Sequence, residues 1–173
     1  MPRILERAPA LEAAAVTGAG EDAAVSLAAL RGRWAVIFFY PRDFSVVCPT
    51  ELRELSKRAA EFRAIAAEPV AVSVDDVETH RRWIRGPLGP VAIPLAADPS
   101  REIARAWGVL RDDAGVAERA TFVVDPAGAV RYAAYHDPSV GRSVSETLRV
   151  LEALQTGAPS PAEWRPGDRT LSG

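Results

Sequence analysis

The chain has 173 residues, of which 48% are hydrophobic and 25% charged, with a formal charge of −2. These values describe an ordinary globular chain with apolar material for one core, and no second domain is expected. The small net charge, with no basic run interleaved with aromatics, argues against a nucleic-acid partner.

The opening stretch from Met1 to Pro9 lacks the uninterrupted apolar core of a secretory signal, and no later stretch is long enough to span a bilayer. No membrane partner is expected, and the chain reads as cytoplasmic. Cys48 is the single cysteine, so neither an internal disulfide nor a zinc cluster can form, which agrees with a reducing compartment. Lys57 is the only lysine among 21 basic residues, a bias of composition rather than a sign of function.

Residues 10–17 and 25–30 are weak strand or loop candidates around Gly18-Ala19-Gly20. The run from Trp34 to Tyr40 reads as a fully buried strand, stopped by Pro41. From about Pro49 to Ala67, Leu52, Leu55, Ala59, Phe62 and Ile65 recur at three- and four-residue steps and predict one amphipathic helix. Val70–Val74 is a second short strand, and the Asp75-Asp76 carboxylates suit the cap of a helix reaching about Ile84. Gly86-Pro87-Leu88-Gly89-Pro90 breaks the chain before a third strand over Ile93–Ala97. Asp98-Pro99 then supplies an N-cap and a proline at N1 for a helix ended by Gly108.

Thr121–Asp125 and Ala129–Tyr135 flank Pro126-Ala127-Gly128, which predicts an antiparallel hairpin closed by a type I turn. Ser143-Val144-Ser145-Glu146 is a capping-box pattern opening a helix that Gly157 and Pro159 terminate. The expected organisation is one domain over residues 1–157 and a polar, loosely held tail over 158–173. Strand and helix in alternation, then a hairpin and a last helix, predict an α/β fold with a central mixed sheet flanked by helices. Ligands bind such sheets outside the carboxyl ends of the strands, and Cys48 follows one of those ends.

A lone free thiol is more often a buried structural residue than a nucleophile. Cys48 nevertheless stands at a predicted helix N-terminus, where unsatisfied N–H groups and the helix dipole favour a thiolate. Only the thiolate attacks, and an ordinary free thiol is about 3% ionised at pH 7. A nucleophilic role therefore calls for a cation and hydrogen-bond donors nearby.

The run Tyr40-Pro41-Arg42-Asp43-Phe44-Ser45-Val46-Val47-Cys48-Pro49-Thr50-Glu51 resembles the active-site segment of the peroxiredoxins, with Pro41, Ser45 and Cys48 in the register of that family's proline, threonine or serine, and cysteine. The resemblance continues through Asp98-Pro99, Trp107 to Leu110, Arg119 to Asp125 and Val140 to Leu148. It points most closely to the typical two-cysteine class that includes the peroxidase component of alkyl hydroperoxide reductase. It implies a thioredoxin-like fold and a thiol-dependent peroxidase without cofactor or metal.

Carried over residue by residue, the resemblance implies that Cys48 attacks the peroxide while Ser45 and Arg119 donate to its oxygens. Pro41 shapes the loop and shields the sulfur. Glu51 and Arg142 match positions of an ionic network that orients the active-site arginine; as bare sequence they are equally ordinary surface charges. His80 and His136 lack a metal-binding constellation and read as surface or structural residues. Trp83 and Trp107 read as packing residues. The implied partners are a peroxide substrate, an external thiol reductant such as thioredoxin, a glutaredoxin system or a low-molecular-weight thiol, and a second copy in a homodimer, with a decamer as a further assembly.

The chain departs from the pattern in one decisive place. Where the two-cysteine class carries a resolving cysteine near its C-terminus, the sequence has Ser160, whose hydroxyl cannot form a disulfide with an oxidised Cys48. The expectation is a one-cysteine cycle in which an external thiol recycles the Cys48 sulfenic acid. The alternative is a redox sensor or holdase chaperone that uses Cys48 oxidation without efficient turnover. Gly86-Pro87-Leu88-Gly89 also replaces a Gly-Gly-Leu-Gly segment of overoxidation-sensitive members, which favours an accessible, readily reduced sulfenic acid.

Overall fold

A computed structural model describes residues 2–171. Two compact units divide between Arg142 and Ser143. The first contains β1 (Glu12–Val16), β2 (Asp22–Ser26), β3 (Trp34–Phe39), α1 (Cys48–Lys57), α2 (Ala59–Ala64), β4 (Ala67–Ser73), α3 (Val77–Arg85), β5 (Leu95–Ala97) and α4 (Glu102–Ala106). It closes with β6 (Leu110–Arg111), β7 (Val116–Ala117), β8 (Arg119–Val124) and β9 (Val130–His136).

Seven strands form one sheet in the order β2-β1-β5-β4-β3-β8-β9. The pairs β5–β4 and β4–β3 are parallel, while β1–β2, β1–β5, β3–β8 and β8–β9 are antiparallel. This is the expected mixed sheet. Strand parity decides which helix covers which face. Ala35, Ile37 and Phe39 of β3 join Val70, Val72, Phe122 and Ala104 in one apolar cluster, and Trp107 after α4 packs there, its ring tilted 5.5 Å from the Phe39 ring and edge-on 5.0 Å from Phe122. On the opposite face, Tyr40 packs its ring 6.0 Å from Trp83 of α3. Each large side chain buried this completely contributes roughly 1.5–3 kcal/mol.

Several boundaries differ from the sequence expectation for local reasons. The helix expected over 49–67 is two helices parted at Arg58, whose φ of −101° and ψ of 7° leave the helical region. It stops at Ala64 because Ala66 is left-handed at φ 55°, turning the chain so that β4 starts at Ala67 rather than Val70. Pro94 lacks an N–H, so β5 starts two residues later than expected. Left-handed Arg101, at φ 63°, delays α4 to Glu102, although Asp98 still caps it through Oδ1 to Ile103 N and Oδ2 to Ala104 N at 3.2 and 2.7 Å. The short β6–β7 hairpin was not expected. The turn between β8 and β9 closes as expected, with Gly128 N donating to Asp125 O at 2.8 Å and φ 87° at the glycine.

The second unit holds α5 (Val144–Gln155), capped by Ser143 Oγ accepting from Glu146 N at 3.1 Å. The tail expected to be loosely held has defined turns. Trp164 is buried, its indole N–H donates to Asp168 O at 3.1 Å, and Leu171 N donates to Pro159 O at 2.7 Å.

Candidate active site

At the carboxyl end of β3, Tyr40 N still donates to Val72 O, and Pro41 then turns the chain into the loop that ends at Cys48. Asp43 anchors this loop. Its carboxylate accepts from Tyr40 Oη at 2.8 Å and meets His80 Nδ1 at 2.7 Å, while its N–H donates to Asp75 Oδ2 at 2.8 Å. Burial raises the Asp43 pKa, against the opposing hydrogen bond and charge of His80. Beyond it, Phe44 is left-handed at φ 54° and packs its ring 6.1 Å from Trp83. A bulky residue in that conformation costs of order 1–2 kcal/mol, which the Asp43 contacts on one side and the tilted ring contact on the other offset.

Cys48 opens α1 and has no exposed surface. Val47 caps the helix without a side-chain hydrogen bond, and Pro49 occupies the first turn as expected. Glu51, one turn on, is buried beneath it.

Sheet register brings the distant arginine to this point. Phe39 pairs with Ala120 across β3 and β8, so Arg119, first in β8, lies beside the end of β3. Its Nη1 is 3.6 Å from Cys48 Sγ and also donates to Glu51 Oε2, and its Nη2 donates to Pro138 O at 2.8 Å. Arg142 completes the cluster. It reaches Glu51 Oε1 through its backbone N–H at 2.7 Å and Nε at 2.9 Å, and Oε2 through Nη2 at 3.0 Å. Its Nη1 donates to the Phe39 and Ala120 carbonyls, both at 2.8 Å, and the guanidinium lies 3.3 Å over the Phe38 ring.

Burial pushes the Glu51 pKa up, but the Arg142 hydrogen bonds and charge, joined by the Arg119 charge, outweigh it and hold the carboxyl below its ordinary value. Burial lowers the Arg142 pKa, against the Glu51 contacts. The surface-charge alternative for Glu51 and Arg142 does not describe these positions, since the Glu51, Arg119 and Arg142 side chains are all 2% exposed.

Ser45 and Pro41 are both half-buried on the loop. Two polar atoms of this region, Ser45 Oγ and Arg119 Nε, are buried without a hydrogen-bond partner among the described residues. Such groups cost of order 1–3 kcal/mol each when left unpaired, and they are common where a protein keeps donors for a reaction. No group of three or more His, Cys, Asp or Glu side chains suited to a metal occurs among the described residues.

Sequence reasoning assigned no part to Asp43. It also left His80 open between surface and structural; His80 is fully buried and structural, its Nε2 facing Ala96 O at 3.3 Å. Trp83 and Trp107 are packing residues, as expected.

The family model described as AhpC/TSA matches residues 4–133. The chain belongs to the AhpC/TSA family. Among relatives, it is 44% identical over 173 residues to peroxiredoxin-2 of Bos taurus, covering 95% of this chain and 86% of the relative. To the thioredoxin peroxidase of Trypanosoma brucei rhodesiense it is 40% identical over 173 residues, covering 95% and 87%. The reduced 2-Cys peroxiredoxin of Plasmodium vivax, known from a crystal structure, superposes with a TM-score of 0.93 at 32% identity over 96% of this chain and 91% of that one. The fold of this AhpC/TSA member is thioredoxin-like, and its relatives mark it as a thiol-dependent peroxidase carrying one cysteine. No helix among the described residues is long and apolar enough to cross a membrane.

Proposed function

We propose that Cys48 is the nucleophile of a one-cysteine peroxidase acting on hydrogen peroxide and organic hydroperoxides. The observation that carries this reading is the Arg119 guanidinium 3.6 Å from the Cys48 sulfur, with Arg119 Nε and Ser45 Oγ left as buried groups without a hydrogen-bond partner among the described residues. The sulfur attacks the near peroxide oxygen in line with the O–O bond. The electron pair of that bond leaves with the far oxygen, which takes a proton and departs as water or alcohol, and Cys48 becomes a sulfenic acid.

Arg119 and Ser45 donate to the oxygens as charge moves onto the leaving one, a contribution that preorganised donors make without reorganising at the moment of reaction. Glu51 and Arg142 fix the position of the Arg119 fork. Pro41 presents no N–H beside the site and fixes the exit from β3. An external thiol of thioredoxin, a glutaredoxin system or a low-molecular-weight thiol reduces the sulfenic acid, since Ser160 stands where a resolving cysteine is expected. The enzyme works in the cytoplasm as a homodimer that also assembles into decamers, which light scattering on the reduced and oxidised protein checks.

Stopped-flow oxidation by hydrogen peroxide tests the chemistry. The wild-type chain reacts orders of magnitude faster than a free thiol and Cys48→Ser not at all; equal, slow behaviour of both removes the reading. A redox sensor or holdase is favoured by the full burial of Cys48. It predicts fast oxidation with no sustained peroxide consumption under any supplied thiol, and multiple turnovers with thioredoxin or a small thiol exclude it.

A further inference from the structure

The loop after β9 starts beside the active-site arginine, because β8 and β9 pair Arg119 with His136. Asp137 to Val140 form a turn there, with Val140 N donating to Asp137 O at 3.0 Å. Aspartate first and proline second suit a type I turn, which leaves the carbonyl of the second residue free to accept from outside it. Asp137 adds a second closure. Its Oδ1 accepts from Ser139 N at 2.8 Å and from Ser139 Oγ at 2.6 Å.

The Pro138–Ser139 peptide unit is therefore gripped from both sides. Its N–H donates to Asp137 Oδ1, and its C=O, which points the opposite way across a planar peptide, accepts from Arg119 Nη2 at 2.8 Å. Rotating this peptide would break both bonds at once. The Ser139 hydroxyl and N–H, and then the Arg111 and Arg119 charges, hold the Asp137 carboxyl below its ordinary value, so the anion that closes the turn is present throughout the neutral range.

The carbonyl matters because of how Arg119 is held. Its Nη1 serves Cys48 Sγ and Glu51 Oε2, and Nε is buried without a hydrogen-bond partner among the described residues. Glu51 alone would leave the guanidinium plane free to pivot about the Nη1 contact. A second anchor at Nη2 removes that freedom, so Nη1 and Nε keep the directions in which a peroxide meets them. We propose that Asp137 is a positioning residue for the peroxidase reaction: by closing its turn on Ser139 it aims the Pro138 carbonyl at Arg119 and fixes the plane of that guanidinium. The inference rests on the peroxidase reading above. Asp137, Pro138 and Ser139 precede the Val140 to Leu148 stretch of the family resemblance, which implied no role for them.

The test compares Asp137→Asn, which keeps the oxygen acceptor and removes the charge, with Asp137→Glu, which keeps the charge on a stem too long for the turn, and Asp137→Ala, which removes both. Oxidation of Cys48 by hydrogen peroxide falls about tenfold in Asp137→Ala and Asp137→Glu, the scale of losing one hydrogen bond to a charged group, and Asp137→Asn recovers most of the loss. The Cys48 thiolate, read by its ultraviolet absorbance against a Cys48→Ser blank, forms at higher pH in the same two variants, because its cation is less firmly held. A role through charge alone reverses the order, with Asp137→Glu like wild type and Asp137→Asn like Asp137→Ala, and overturns the proposal. Equal behaviour of Asp137→Asn and Asp137→Glu overturns it as well. So does a merely structural role, which lowers the urea midpoint and leaves rate and thiolate titration as in wild type. If Asp137→Ala does not fold, Asp137→Asn and Asp137→Glu decide by the same order. Slow oxidation of the wild type removes the peroxidase reading instead, and the thiolate titration of the variants then decides alone whether Asp137 positions Arg119.

Discussion

Glu51 and Arg142, 91 residues apart in the chain, are joined by three hydrogen bonds in a site where both side chains are 2% exposed. The same carboxylate also accepts from Arg119, so one buried anion serves two buried cations. Removing the anion leaves both guanidinium groups uncompensated, the costly way to break a buried pair. Glu51→Gln is therefore expected to lose about 3–5 kcal/mol of stability, read as a lower urea midpoint, and to slow Cys48 oxidation.

Acid should act on the same cluster. The Glu51 carboxyl is held below its ordinary value, so the folded state prefers the ionised form. That stability is present above the unfolded value near 4.3 and is lost as pH falls through the lower native value. Thermal melts taken from pH 6 downward are expected to drop more steeply for the wild type than for Glu51→Gln. Parallel curves would show that Glu51 does not carry the acid sensitivity.

Arg119 and Ser45 separate stability from chemistry in opposite ways. Arg119→Met removes a donor to Sγ, a partner of Glu51 and a bond to Pro138 O, and should cost both stability and about 100–1,000-fold in oxidation rate. Ser45→Ala removes a buried hydroxyl that has no partner among the described residues, so its stability should rise by about 1 kcal/mol or more. Its oxidation rate should still fall about tenfold or more, and Ser45→Thr, which keeps the hydroxyl, should restore it. Stopped-flow rates set beside urea midpoints check both, and a Ser45→Ala enzyme as fast as wild type would remove the hydroxyl from the mechanism.

What the sequence discloses of this site follows from how the chain brings residues together. Pro41, Ser45 and Cys48 lie in one short run, and the buried strand before them and the helix stripe after them are visible as hydrophobic periods. Arg119 and Arg142 reach the site only through the β3–β8 register and the loop after β9, which no local pattern encodes; the family resemblance named them. The Asp43 contact with His80 spans 37 residues and joins a loop to a helix, and the Arg53 contact with the Leu88 carbonyl spans 35. Both use residue types that read as surface charge until a partner is seen. Helix boundaries shifted for a related reason, since left-handed Ala66 and Arg101 occupy a conformation their residue types do not announce.

Asp43 is the counterpart of Glu51 with the opposite sign. Burial raises its pKa against the hydrogen bond and charge of His80, so the folded state holds its proton more tightly than the unfolded chain does. Stability from this group is present below the unfolded value near 3.9 and declines as pH rises through the raised native value. In the wild type this slope partly offsets the Glu51 slope where the two windows overlap. Asp43→Asn keeps an acceptor for Tyr40 Oη and an amide N–H for His80 Nδ1 but removes the titration. Its melting temperature is expected to fall more steeply than that of the wild type on acidification, whereas Glu51→Gln falls less steeply. Melts of the three proteins over pH 3–7 check the ordering, and an Asp43→Asn curve parallel to wild type would mean that Asp43 titrates alike in the folded and unfolded chain.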